Sequence, residues 1–90
     1  MSDELKRRIE QALRSSFTES EDFVYARSGD DPDNIHVVVI SPKFAGLRLK
    51  EKQALVWDQL TASLRPDDWQ HITLALTVTP EELSDVLHAM

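Results

Sequence analysis

Ninety residues with 41% apolar content suffice for one small domain with its own core, and argue against global disorder. A formal charge of −6 opposes indiscriminate binding to nucleic acid or anionic membrane, and no apolar run is long enough to span a bilayer. The chain has no cysteine, which removes disulfides, thiol nucleophiles and any thiolate metal site built from this chain alone. The charged N-terminal stretch lacks the apolar core of a secretion signal, so a cytoplasmic location is expected.

Residues 3–16 carry Leu5, Ile9, Ala12 and Leu13 at helical spacing, and Phe17 extends the stripe, so a first amphipathic helix is predicted. Residues 22–27 read as a strand. Ser28 to Asn34 is a turn by composition, with Asp30, Asp31 and Asp33 around Pro32. Ile35-His-Val-Val-Val-Ile40 is strongly β-branched and is the expected sheet centre. Pro42 ends it, and Phe44-Ala-Gly46 turns the chain into a second helix over residues 48–64. Leu49, Val56, Leu60 and Leu64 share one face of that helix, with Trp57 beside them. Pro66-Asp-Asp breaks the helix.

The third strand, residues 69–78, alternates cleanly. Ile72, Leu74, Leu76 and Val78 point one way, and His71, Thr73, Ala75 and Thr77 the other. Such a strand belongs to a sheet covered on one side, with the apolar set inward and the imidazole of His71 on the open side. Thr79, Pro80 and Glu82 form a capping box that starts a last helix at residues 80–89. The expected architecture is a single α+β domain over residues 1–90: two-layer αββαβα, a three-stranded mixed sheet, and helices on one face. The first two strands pair antiparallel, and the crossover helix permits a parallel second pair.

Charge is unevenly placed. Residues 43–52 carry Lys43, Arg48, Lys50 and Lys52 against Glu51, a local +3 on a remainder of −9. This favours an oriented protein contact. Nucleic-acid recognition would need stacking aromatics or a base-reading element as well, and Phe44 and Trp57 are more economically core residues. The only glycines are Gly29 and Gly46, so neither a Gly-x-x-Gly clamp nor a phosphate-cradling loop is present. No nucleophile elbow or opposed carboxylate dyad supports catalysis, and a non-enzymatic role is expected. His36 lies inside a strand, where a structural or surface role is expected. His88 sits near a helix C-terminus, where a cation is favourable. No two histidines stand at i,i+4, so a zinc motif is not supported.

From residue 22 to residue 83 the chain resembles the BolA family, whose fold is similar to type II K-homology domains. The resemblance is carried by the apolar strand followed by Ser41-Pro-Lys-Phe-Ala-Gly46, then a helix with Val56 and Leu60 as anchors, then His71 nine residues before Pro80-Glu-Glu82. It implies an adaptor that partners a monothiol glutaredoxin in iron–sulfur trafficking. The chain itself would be a monomer binding no cofactor alone, and would form a heterodimer sharing a [2Fe–2S] cluster with glutaredoxin and glutathione. His71 would be one metal ligand, since iron accepts imidazole in place of thiolate; a packed, structural histidine is the alternative. Lys43, Phe44, Gly46, Arg48, Lys50 and Lys52 would contribute to docking. Two departures stand out. Lys52, Gln53 and Ala54 occupy positions that many members fill with an Arg-His-Arg-like segment. Asp31 stands where members place a loop cysteine or histidine, leaving a carboxylate as a second metal ligand or a simple turn former. DNA or RNA binding, which some members imply, is the rival expectation; a divergent domain using protein contacts alone is the third.

Overall fold

The computed structural model describes residues 2–29, 31 and 33–89; Asp30, Pro32 and the side chain of His88, discussed above, lie outside the described residues. Helix α1 (Ser2–Arg14) opens with Asp3 and Glu4 in its first turn and closes on Arg14, complementing the helix dipole at both ends. Strands β1 (Phe23–Ser28) and β2 (Ile35–Ile40) pair antiparallel, with Phe23 opposite Ile40 and Ser28 opposite Ile35. A 3-10 turn (Pro42–Phe44) leads to α2 (Leu49–Ser63), then to the one-turn helix α3 (Pro66–Trp69). Strand β3 (Ile72–Val78) lies parallel to β2, and α4 (Pro80–Ala89) ends the chain. The sheet order is β1-β2-β3.

The core lies between the sheet and helices α1 and α2. Ile9, Leu13 and Phe17 meet Val24 and Ala26 of β1, Ile35, Val37 and Val39 of β2, and Val56 and Leu60 of α2. Phe44 is wholly buried among them and meets Phe17 at a ring separation of 5.6 Å, inclined at 57°. The segment Pro66-Asp-Asp-Trp69, expected as a break, is a helical turn because Pro66 sits at its first position, where no N–H is needed. It is held by an ion pair from Arg8 Nη2 to Asp68 Oδ1 at 2.9 Å and by edge contact between Trp57 and Trp69.

One expectation is overturned in β3. Ile72 is buried, but Leu74 and Leu76 face outward and are half-exposed, whereas Thr77 is buried and Ala75 packs against the core. The cause is a register irregularity. Ile35 pairs with Ile72, but His36 pairs with Leu74, leaving Thr73 without a partner. One extra residue in a period-2 element sends every later side chain to the other face. The inward threonine is accommodated because Gln53 Nε2 of α2 donates to Thr77 Oγ1 at 3.3 Å and to Ala75 O at 2.8 Å.

This face assignment predicts unequal costs. Ile72→Ala should destabilise the protein by about 2–5 kcal/mol, while Leu76→Ala should change stability by under about 1 kcal/mol. Urea denaturation of both variants measures the difference; equal costs would restore the uninterrupted alternation.

Candidate functional site

The β1–β2 loop is built on its own backbone. Gly29 N donates to Asn34 O at 2.8 Å, and Asn34 N donates to Asp31 O at 2.9 Å. Asp31 Oδ1 accepts from Asp33 N at 2.9 Å, the Asx geometry that makes aspartate a turn former. The Asp31 side chain is therefore exposed, with one oxygen engaged in its own turn.

His71 is the residue just before β3, and its main chain is locked to β2: Ile35 N donates to His71 O at 2.8 Å. Its ring is half-buried against the loop, with Nδ1 3.1 Å from Asp33 O. A carbonyl oxygen can only accept, so this bond requires Nδ1 to carry the proton and leaves the lone pair on Nε2. Nε2 makes no hydrogen bond among the described residues. The structure thus brings His71 to the loop that contains Asp31, through Asp33 rather than through the Asp31 carboxylate. Among the described residues no group of three or more His, Cys, Asp or Glu side chains could hold a metal ion. His36 lies on the other flank of the loop, with its ring so close to Gly29 that an added Cβ would stand 2.8 Å from its Nε2. A side chain at residue 29 would require the His36 ring to shift.

The segment expected to dock a partner divides into two groups. Ser41 is buried, donates to Asp22 Oδ1 and accepts from Lys43 N at 3.1 Å. Lys43 Nζ donates to Ser16 O at 2.7 Å and lies 5.3 Å above the Phe17 ring. Lys52 is buried and donates to both Glu82 oxygens, at 2.8 and 3.0 Å. Phe44 and Lys52 are therefore buried, while Lys43 is exposed but bonded within the chain. Gly46 takes a left-handed φ of +78° with open space where a Cβ would be. Arg48 and Lys50 are exposed and form no ion pair among the described residues.

Glu82 joins two roles. Its carboxylate accepts from Lys52 and from Thr79 N at 2.9 Å, while Thr79 Oγ1 accepts from Glu82 N at 3.0 Å, completing the expected capping box. The Lys52 hydrogen bond, then the Thr79 amide, hold the Glu82 carboxyl below its ordinary value. The sequence disclosed the cap but not its link to α2, because residues 52 and 82 are joined only by folding.

No family model and no curated protein matches the chain. Solved structures do, among them the following three. A BolA homologue from Coxiella burnetii is 27% identical over 93% of this chain and 96% of its own, with a TM-score of 0.59. A Bol-like protein from Babesia bovis is 23% identical, covering 91% of this chain and 92% of its own, also with a TM-score of 0.59. A BolA protein from Arabidopsis thaliana is 21% identical over 87% of this chain and 94% of its own, with the same score.

Two measurements check the site's framework. Ser41→Ala should lose roughly 1–3 kcal/mol, because it leaves a buried carboxylate oxygen of Asp22 without its hydroxyl donor; denaturant melts read this directly. The folded-state carboxyl of Glu82 lies below its ordinary value of 4.5, so its contribution is complete above that pH and is lost as pH falls through the folded value. Glu82→Gln should therefore flatten the acid limb of the stability–pH curve, and a limb unchanged from wild type would remove Glu82 as its source. The sheet order and crossover helix of the chain, together with these matches, show a BolA-like fold.

Proposed function

We propose that the chain is a non-catalytic adaptor that binds a monothiol glutaredoxin and takes part in handling a [2Fe–2S] cluster, with His71 as its metal-ligating residue. The observation that carries this reading is the state of the His71 ring. Nδ1 is committed to a backbone carbonyl and Nε2 is left as a free lone pair, the arrangement in which an outer-shell carbonyl orients a ligating imidazole and sets its tautomer. The residues fit a shared group and not a private one. The chain has no cysteine, and Asp31 offers a partly engaged, hard carboxylate better suited to hard cations than to iron–sulfur chemistry. A cluster supplies electron-transfer or cluster-donor chemistry; the remaining ligands would be a glutaredoxin cysteine and glutathione. Arg48 and Lys50, exposed beside Gly46, are the cations available for docking.

The test mixes the chain with a cluster-loaded monothiol glutaredoxin and glutathione, followed by visible absorption, circular dichroism and sizing. A changed spectrum with a 1:1 complex is expected, and His71→Ala should abolish the spectral change while leaving the fold intact. Asp31→Ala should leave it in place. An unaltered spectrum with no complex would sink the proposal; a complex whose spectrum ignores His71→Ala would leave a protein-contact adaptor without metal ligation.

A further inference from the structure

We infer that the uncovered face of the sheet is the interface of a two-fold homodimer, in which two copies meet face to face with their β1 strands antiparallel. The face is formed by Phe23 and Tyr25 of β1, Val38 and Ile40 of β2, and Leu74 and Leu76 of β3. The strand pairing aligns them in rows, with Tyr25, Val38 and Leu76 side by side. Phe23 and Leu74 are 50% exposed, and Tyr25 and Leu76 46%, so about half of each stands open to solvent. Phe23 and Tyr25 stack at 6.2 Å, presenting a flat aromatic surface.

Area and charge select the occupant. Half of four large side chains, with partly exposed branched residues between them, present on the order of 500 Å² of apolar surface, at the upper end of the largest patch a monomer ordinarily leaves open. Two such faces together bury roughly 1,000 Å², the threshold at which specific association begins. An isologous interface needs only one surface to be self-complementary, and this one carries no carboxylate along its strands. Its cation is Arg27, at the end of β1 away from Phe23, without an ion pair among the described residues. Exposed Glu21 precedes Phe23 at the opposite end. Antiparallel apposition brings each Arg27 to the other copy's Phe23 end, where a ring face and Glu21 both attract a guanidinium; a two-fold axis along the strands would instead lay β1 over the other copy's β3, away from both.

Sedimentation equilibrium of the full chain, in the absence of glutaredoxin, from about 1 μM to 1 mM tests the inference, with a midpoint expected on the order of 10–100 μM. The double variant Leu74→Lys/Leu76→Lys should weaken association at least ~10-fold, and Tyr25→Lys should do so independently from β1. All three positions are exposed, and circular dichroism verifies the fold. Arg27→Glu should weaken association several-fold, and adding Glu21→Arg should restore it. A wild-type chain that keeps single-chain mass throughout overturns the proposal. So does association undiminished by the lysine substitutions, which would place the contact elsewhere. Failure of the charge swap to restore association overturns the antiparallel arrangement.

Discussion

The distribution of chemistry over this molecule depends on one unpaired residue. Between the pairs Ile35–Ile72 and His36–Leu74, Thr73 has no partner. Up to Ile72 the strand presents its apolar side to the helices. Beyond Thr73, Ala75 and Thr77 face inward and the leucines face water. Burial of a threonine hydroxyl requires a partner, and Gln53 provides it while also bonding the carbonyl of Ala75. On the far edge of the sheet Glu10 accepts from Ala26 N at 2.9 Å, so side chains from the helices occupy backbone groups of both outer strands. Main-chain pairing with another sheet is thereby discouraged, and the broad face is left as the surface of greatest apolar exposure.

The residues that make the chain recognisable are mostly interior. Ser41 and Asp22 close the junction of β2 and the 3-10 turn, Lys43 binds the carbonyl of Ser16 just beyond α1, and Phe44 fills the core. The chain shares its fold with BolA-like structures at about a quarter identity, and its own buried serine, buried phenylalanine and left-handed glycine are costly to exchange. Lys52 belongs to the same group. Its ammonium bridges α2 to the cap of α4, where the Glu82 carboxylate complements the helix start. Within that segment, Arg48 and Lys50 are exposed and form no ion pair among the described residues.

That loop joins local and long-range order. Asp31 and Asp33 shape it through adjacent backbone bonds, Gly29 admits the ring of His36, and Asp33 orients the ring of His71 from 38 residues away. A change in the loop is therefore transmitted to the imidazole tautomer without altering His71 itself.

Periodicity and punctuation in the chain determined the order of the elements, the span of β2, the capping box at Thr79 and Glu82, and the single uncovered sheet face, because each follows from contacts between near neighbours in sequence. Strict alternation of Ile72, Leu74, Leu76 and Val78 contained no sign that Thr73 would be skipped, since a bulge is set by the partner strand and by what α2 offers to the inward side. The sequence likewise marked Lys43, Arg48, Lys50 and Lys52 as one patch. Only the tertiary structure separated Lys43 and Lys52, paired within the chain, from Arg48 and Lys50, which form no ion pair among the described residues, because a contact across 30 residues exists only once α2 and α4 have been brought together.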